Sequence, residues 1–166
     1  MAPAADHPGR GDGGHRQGGK HAVKEFARLN RTLKTLSAGN RTLLRATNEQ
    51  ELLLEMCRVI VETGGYRFAS VGYADYDAHK RVRWLAGVGI EIAVLDAFHF
   101  TWADTELGQG ATATAIRTGE PVVGKILLTD PAYAGPAYAA VRQIALKLGH
   151  ASLTAFPLKV EGVGVG

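Results

Sequence analysis

The chain has 166 residues and contains little cysteine, no long apolar run and little acidic charge in its first part. Its single cysteine, Cys57, excludes both an internal disulfide and a cysteine-rich zinc site. No apolar run approaches the roughly 20 residues that a membrane-spanning helix needs. The glycine-rich start lacks the apolar core of a signal peptide. We therefore expect a cytoplasmic protein without a membrane span.

Positive charge is concentrated towards the N-terminus. Up to Asn48 the chain carries nine Lys or Arg against three Asp or Glu, whereas the remainder carries ten against thirteen. The net charge of +3 therefore comes from the N-terminal segment. Such a segment could neutralise nucleic-acid phosphates, but charges spread along its whole length are more typical of a solvated helix and tail. We do not expect nucleic-acid binding.

Composition and periodicity divide the chain into three segments. Residues 1–21 offer almost nothing to bury, which predicts a disordered tail whose scattered histidines form no metal site. Residues 22–47 are predicted to form a signalling helix, because apolar residues recur there at spacings of three and four. Residues 48–166 are predicted to form one α+β domain.

The predicted helix has the a/d pattern of a coiled coil. After Phe26, the positions of this seam are Leu29, Leu33, Leu36, Asn40 and Leu43. A single Asn at an a position favours a two-stranded coiled coil with a fixed register. We therefore expect a homodimer through this helix. The alternative is an amphipathic helix that lies on its own domain.

The domain segment alternates helical and strand patterns. Thr47 and Gln50 are predicted to form a capping box that opens a helix ending at Gly64-Gly65. The later predicted elements are strands at Tyr66–Tyr73 and Val82–Val88, helices at Glu91–Phe98 and Ala111–Arg117, a cap at Gly119, a strand from Pro121, a helix at Tyr138–Leu148 and a strand at Ser152–Val160. This order predicts an α+β fold with a central antiparallel sheet flanked by helices and preceded by a long N-terminal helix.

Four segments in register resemble the GAF family of sensory domains. They are Gly108-Gln109-Gly110, Thr114–Val123, Thr129–Tyr133, and Gly149–Ser152 leading to Phe156-Pro157-Leu158. The resemblance runs from about Asn48 to the end of the sequence. The segment before it is similar to the helix that precedes such modules in bacterial sensor histidine kinases and diguanylate cyclases.

The GAF resemblance implies a function and a missing part. It implies a non-catalytic sensory module of bacterial signal transduction, within a parent such as a histidine kinase of a two-component system or a diguanylate cyclase. A GAF domain would continue past Glu161-Gly162 with a closing strand and a C-terminal helix. We therefore expect this domain to be truncated at its C-terminus.

Candidate ligand residues lie around the Gly108-Gln109-Gly110 segment. If the fold is GAF-like, Trp102 beside Asp104 faces a pocket for a small molecule, although Trp102 could instead fill the core beneath its loop. The candidate ligand-binding set is Trp102, Asp104, Thr105, Thr112, Thr114, Tyr133 and Ser152. The Asn-Lys-Phe-Asp-Glu pattern of cyclic-nucleotide-binding relatives is absent, which argues against cGMP and leaves the ligand open.

Catalytic interpretations have less support. Gly108 and Gly110 before a helix could cradle a phosphate, but no Lys-Ser or Lys-Thr follows, and glycines that permit a tight turn explain them better. Asp104 and Glu106 lack an accompanying nucleophile or metal trio. His99 and His150 could ligate haem iron as in some oxygen-sensing relatives, yet histidines also suit helix ends.

Cys57 is the remaining candidate nucleophile. It could act as in free-methionine-sulfoxide reductases built on this fold, or attach a bilin, but its place beside an apolar helix stripe favours an inert core thiol. We therefore expect no enzyme activity, no identified cofactor and no metal. The alternative to a ligand-binding sensor is a structural dimerisation module without a ligand.

Overall fold

The computed structural model describes residues 14–149, 152–160 and 163–164. Its helices are α1 (Gly14–Arg45), α2 (Glu49–Arg58), α3 (Ile92–Asp96), α4 (Ala111–Thr118) and α5 (Ala139–Leu148). Its strands are β1 (Ala69–Ala74), β2 (Val82–Val88), β3 (Val122–Ile126), β4 (Ser152–Ala155), β5 (Lys159–Val160) and β6 (Val163–Gly164). A π turn at Val59–Thr63 extends α2, and 3₁₀ turns lie at Glu106–Gly108, Pro131–Tyr133 and Pro136–Tyr138. The mixture of helices and antiparallel strands behind a long N-terminal helix confirms the predicted fold at that coarse level.

The strands differ from the predicted single central sheet. Across the described ranges they form three separate antiparallel pairs, β1 with β2, β3 with β4, and β5 with β6. The β3–β4 ladder is irregular between Val122 and Lys125, where Gly124 has a left-handed φ of 73°. A residue in that conformation interrupts a ladder, because it turns its peptide groups out of the pairing direction.

The predicted strand from Ser152 to Val160 is wrong in its middle. Strand β4 ends at Ala155, and β5 begins only at Lys159. Pro157 lies in the gap and has no N–H to donate to a ladder, so the pairing stops there. By contrast, the predicted cap at Gly119 is confirmed by a left-handed φ of 68°, and Gly149 ends α5 in the same way with a φ of 67°.

The predicted capping box lies one residue later than expected. Asn48, not Thr47, is the N-cap of α2, and its side-chain oxygen accepts a hydrogen bond from the Glu51 N–H at 2.9 Å. The Glu51 carboxylate reciprocates by accepting from the Thr47 hydroxyl at 2.7 Å and the Thr47 N–H at 3.3 Å. These bonds lower the pKa of Glu51, with the bond from the Thr47 hydroxyl as the main cause. Asn is at least as good a cap as Thr, so the pattern alone admitted either start.

Helix α1 begins ahead of the predicted start at residue 22, and residues 1–13 of the predicted tail lie outside the described residues. Its C-terminal part packs on α2 and on the π turn that follows. Gly39 is buried there, and a Cβ at this position would meet the Met56 methyl at 3.5 Å. A small residue therefore brings the two helices close together.

Two groups of elements surround the core. Helix α2 packs on the β1–β2 hairpin, and α4 packs on the β3–β4 pair. One core cluster consists of Leu127, Tyr133, Tyr138 and Ala145, with Phe100 and other partly buried side chains against it. Three alanines of α4, Ala111, Ala113 and Ala115, are also buried, so this helix approaches its neighbours through small side chains.

Candidate functional site

The N-terminus of α4 is capped by two buried tyrosine hydroxyls. The N-cap, Gly110, has no side chain to cap the helix, and its N–H instead donates to the Tyr138 hydroxyl at 2.9 Å. The next N–H, from Ala111, donates to the Tyr133 hydroxyl at 2.7 Å. Both tyrosines are almost fully buried, at 1% and 2% exposure, and their rings pack edge to face with centroids 5.1 Å apart. The two hydroxyls occupy amides that a bound phosphate would otherwise use.

Burial also sets the ionisation of these hydroxyls. It raises the pKa of Tyr133 to about 12, although the hydrogen bond from Ala111 opposes the shift. Burial likewise raises the pKa of Tyr138 above its ordinary value. Both groups are therefore neutral at physiological pH and act as hydrogen-bond partners of the backbone. Tyr138 uses its own proton to donate to the Leu107 carbonyl.

The two glycines of the Gly108-Gln109-Gly110 segment permit close packing. A Cβ on Gly108 would lie 1.7 Å from the Ala103 carbonyl oxygen, which is an impossible approach. A Cβ on Gly110 would lie 2.9 Å from the Tyr138 hydroxyl oxygen. These contacts support the interpretation of the glycines as turn and packing residues rather than as a phosphate cradle.

Arg117 on α4 ties the preceding loop together. Its guanidinium donates to the carbonyls of Gly108, Trp102 at 3.1 Å and Ala103 at 3.4 Å. A charged donor shared among three backbone oxygens holds the loop against the helix. The sequence pattern did not single out Arg117, because nothing in its spacing indicates a partner in the loop.

Trp102 lies against the tip of the β1–β2 hairpin. Its indole N–H donates to the Asp75 carbonyl at 3.0 Å, and its ring meets Tyr76 edge to face at 5.0 Å. The Lys80 ammonium lies 4.8 Å from the Trp102 ring centroid, within the range of a cation–π contact. Trp102 is half-buried, so it joins the loop to the hairpin while keeping part of its ring in solvent.

The other candidate ligand residues lie in the loop, on α4 and at the start of β4. The Asp104 carboxylate accepts from the Gln109 amide at 2.8 Å, and the same amide donates to the Thr105 carbonyl at 3.0 Å. Thr114 donates its hydroxyl to the Gly110 carbonyl at 2.9 Å, within its own helix. Thr112 is half-buried on the same helix, whereas Ser152 is exposed at the start of β4, paired with Ile126.

Several of these side chains already have partners within the protein. The hydrogen bonds join Asp104 to Thr105 through Gln109, and Tyr133 to the start of α4. The Trp102 side chain makes its contacts at the hairpin tip. A ligand-binding role for the predicted set stays a prediction.

Cys57 lies on α2 and is completely buried. Burial raises the pKa of the thiol from its ordinary value of 9.0 to about 11. At pH 7 only about one molecule in ten thousand would then hold the thiolate that nucleophilic chemistry requires. The environment of Cys57 therefore resembles that of an inert core thiol.

We expect Cys57 to resist Ellman's reagent in the native chain at pH 7 and to react promptly in denaturant. Because the folded pKa is raised, the thiol stabilises the fold below pH 9, and this contribution is lost as the pH rises from 9 towards 11. Urea denaturation at pH 8 and pH 10.5, with Cys57→Ala as the control, measures that loss. A native thiol that reacts as fast as the denatured one would contradict this description.

The described ranges contain no group of three or more His, Cys, Asp or Glu side chains placed to hold a metal ion. Their helices include none that is both long and apolar enough to cross a membrane. Of the two histidines considered as haem ligands, His99 is exposed with a left-handed φ of 49°, and His150 lies outside the described residues.

An uncovered apolar stripe runs along α1. Its predicted seam leucines, Leu29, Leu33, Leu36 and Leu43, are 56% to 66% exposed, and Phe26 is 71% exposed. Asn40 is exposed on the same stripe. The half-buried or buried residues of α1, such as Thr35, Gly39 and Thr42, lie on another face of the helix. The helix therefore docks on its own domain without covering its apolar seam.

One polar atom was missed by the sequence analysis. The indole N–H of Trp84 on β2 is buried and has no hydrogen-bond partner within the described part of the chain. Trp84 looked like an ordinary strand residue, because alternation in a strand does not indicate whether an indole finds an acceptor. Only the packing around the ring identifies it.

Comparisons with protein-family models, with curated proteins and with solved structures found no match to this chain.

Proposed function

We propose that the chain is a non-catalytic, GAF-like sensory module of bacterial signal transduction that pairs with a second copy through α1 and binds a small ligand. The carrying observation is the apolar stripe of α1, which stays exposed although the helix is docked on its domain. The resemblance of the loop and helix segments supplies the sensory assignment. A cytoplasmic location and a kinase or cyclase parent belong to the same proposal.

The N-terminal part of α1 supports pairing by its exposure. From residue 19 to residue 34 every residue except Glu25 is exposed, so this part of the helix has little contact with the domain. An isolated helix of that length is marginal in water, because backbone ordering is not offset by packing. A second helix against Phe26, Leu29 and Leu33 would supply the missing packing.

The placement of charge is compatible with a two-stranded seam. With Phe26 and Leu33 at a positions, the e positions are Val23, Asn30, Ser37 and Leu44, none of which is charged. Lys34 and Arg41 fall at outer b positions. Two copies of this basic helix could therefore approach through the stripe without bringing like charges face to face.

Pairing at α1 would be mechanically coupled to the domain. The helix contacts α2 through Gly39 and Met56, and Cys57 in the next position of α2 is fully buried. A shift in the pairing of α1 would therefore change the packing of Gly39 against Met56. Signals could pass in either direction by this route, which fits a sensory module better than a rigid spacer.

Sedimentation equilibrium of the full chain tests the pairing. We expect a dimer that Leu36→Asp dissociates, with the dissociation constant rising about a hundredfold or more, because two carboxylates would enter an apolar seam. Asn40→Leu should keep the association but admit higher oligomers, since the polar a position no longer selects two strands.

Leu146→Asp is the matched control for this experiment. Leu146 on α5 is 61% exposed and Leu36 on α1 is 60% exposed, so the same change is made on two different faces. The control should remain dimeric, and circular dichroism should show that both variants are folded. A monomeric wild-type chain, or equal dissociation by both substitutions, would contradict pairing through α1.

A structural dimerisation module without a ligand is the second candidate. Its support is that several predicted ligand residues already bond to the protein itself, as Tyr133 bonds to Ala111. An enzyme of the sulfoxide reductase type has no comparable support, because the only cysteine is buried and its pKa is raised.

A further inference from the structure

Four basic residues share one face of α1. Between residues 19 and 45 of this helix, Glu25 is the only acidic side chain. Basic residues recur in its first part at spacings of four, four and three, and residues three or four apart are neighbours on a helix surface. We call these residues the basic stripe: Lys20, Lys24, Arg28 and Arg31.

The basic stripe is open to solvent and largely unpaired. All four side chains are exposed. Arg28 forms an ion pair with Glu25 at 3.4 Å, and an exposed pair of this kind contributes little to stability. Across the described ranges the other three residues form no ion pair. The stripe therefore presents positive charge that the described part of the chain does not neutralise.

The stripe continues the face by which α1 docks on its domain. From Arg31 the same spacings lead to Thr35, Gly39 and Thr42, which are buried or half-buried. The Arg31 guanidinium lies beside Gly65 at the end of the π turn, where a Cβ would meet it at 3.2 Å. The domain therefore stands on the same side of the helix as the stripe, and the helix projects past the domain beyond Arg31.

Pairing of two copies would leave the basic stripe free. With Phe26 at an a position, the stripe residues fall at the outer b, c and f positions of the heptad. A second copy on the apolar seam would cover the opposite face of the helix. Binding at the stripe therefore goes beyond the proposed pairing and does not depend on it.

We infer that the basic stripe binds the phosphate backbone of a nucleic-acid duplex without reading its bases. The stripe runs about 16 Å along the helix axis, given the ordinary rise of an α-helix. A duplex carries one negative charge per roughly 1.7 Å of its axis, so several phosphates would face a stripe of that length. Lys and Arg that neutralise phosphates release counterions, and this release drives binding that is independent of base sequence.

The shape of the surface favours a duplex over two other polyanions. A flat anionic bilayer would meet the domain, which stands on the same side of α1, before it reached the whole stripe. A duplex is a rod and can cross the projecting helix beside the domain. Single strands are bound through aromatic stacking as well as charge, and the stripe contains no aromatic residue.

Binding to a duplex was not expected from the sequence. Lys20 falls within the predicted tail of residues 1–21, and the other charges were predicted to belong to a solvated helix. Because α1 begins at Gly14, Lys20 is helical and completes a stripe of four residues. The alignment of this stripe with the docking face is visible only in the folded chain.

Fluorescence anisotropy with a labelled DNA duplex tests the stripe on the full chain. We expect saturable binding, with similar affinity for duplexes of unrelated sequence. The logarithm of the association constant should fall with the logarithm of the salt concentration with a slope of about −3 to −4, because each of the four contacts contributes roughly −0.9.

Lys20→Gln combined with Lys24→Gln should weaken binding about tenfold or more and reduce the salt slope by about two, because two phosphate contacts are lost. Arg45→Gln combined with Lys147→Gln is the matched control, since it removes the same charge from exposed residues away from the stripe. The control should keep both the affinity and the slope. Circular dichroism should show that both double variants are as helical as the wild-type chain.

Equal weakening by the two double variants, or no binding of the wild-type chain at low salt, would overturn the stripe. Vesicles of phosphatidylcholine and phosphatidylglycerol that bind as tightly as the duplex would overturn the assignment to nucleic acid. A dimer that ignores the duplex would remove the stripe and leave the pairing. A monomer that binds the duplex through Lys20 and Lys24 would support the stripe and remove the pairing.

Discussion

Gly108→Ala should lower the free energy of unfolding by about 3 kcal/mol or more, as overpacking against fixed atoms does. The new methyl would lie 1.7 Å from the Ala103 carbonyl oxygen, a backbone atom that cannot turn aside. That oxygen and the Gly108 carbonyl both accept from Arg117, so any shift also disturbs this contact. Thermal denaturation should show a fall in Tm of roughly 6 to 12 °C.

Gly124→Ala is the comparison that separates steric clash from backbone strain. Gly124 has a left-handed φ of 73° but nothing within 4 Å of its would-be Cβ. Replacing Gly124 with Ala should lower the free energy of unfolding by about 1 kcal/mol, because only the left-handed backbone conformation is strained. If Gly108→Ala cost no more than Gly124→Ala, the close approach of the loop to Ala103 would be wrong.

Tyr138→Phe should lower the free energy of unfolding by about 2–4 kcal/mol, because it leaves two buried backbone groups without a partner. The hydroxyl accepts from the Gly110 N–H and donates to the Leu107 carbonyl. Tyr138 is 1% exposed, so water has no easy access to replace the lost oxygen. Urea denaturation followed by circular dichroism measures the loss.

Tyr66→Phe is the matched control, since Tyr66 is 62% exposed. It should change the stability by less than about 0.5 kcal/mol. Tyr133→Phe should cost less than Tyr138→Phe, because the bond found for its hydroxyl is the one from Ala111. The double variant should be non-additive, since the two tyrosines touch and cap the same helix. If the stability losses of Tyr133→Phe and Tyr138→Phe were additive and each as small as that of Tyr66→Phe, the capping role would be contradicted.

Gly108→Ala and Tyr138→Phe also test whether the Gly108-Gln109-Gly110 segment, which resembles a phosphate loop, binds phosphate. If Gly108 and Gly110 serve packing, the variants should lose stability without any change in the response to inorganic phosphate. The hydroxyls of Tyr133 and Tyr138 already satisfy the amides of Gly110 and Ala111. A binding role would need those amides to be free.

The local elements could be predicted from the sequence because their signals are local. Strand β2 has the predicted bounds, and α4 and α5 begin and end within a residue of the prediction. Gly119 and Gly149 end those helices because glycine adopts the left-handed conformation without strain. The cap of α2 was placed one residue early, since Thr47 and Asn48 are both good caps and only the direction of the hydrogen bonds distinguishes them.

The candidate sites depended on contacts between distant parts of the chain. Asp104 and Thr114 were predicted as ligand residues, but the groups that they bond in the folded chain, the Gln109 amide and the Gly110 carbonyl, were not predictable. Tyr138 was expected only as the apolar start of a helix, yet its hydroxyl reaches Gly110. No spacing rule connects residues 28 positions apart, because such a bond exists only after the start of α4 and the 3₁₀ turn at Pro136–Tyr138 have packed together.

By itself the sequence determined the period of the apolar residues, and so the amphipathic character of α1, the caps and the class of fold. Those properties follow from one residue and its neighbours within a turn or two. The tertiary structure alone decided that α1 docks through Gly39 and leaves Leu36 uncovered, and that Trp102 finds an acceptor while Trp84 does not. The physical reason is that burial and hydrogen-bond satisfaction depend on which surfaces meet, and that choice is made by the packed chain as a whole.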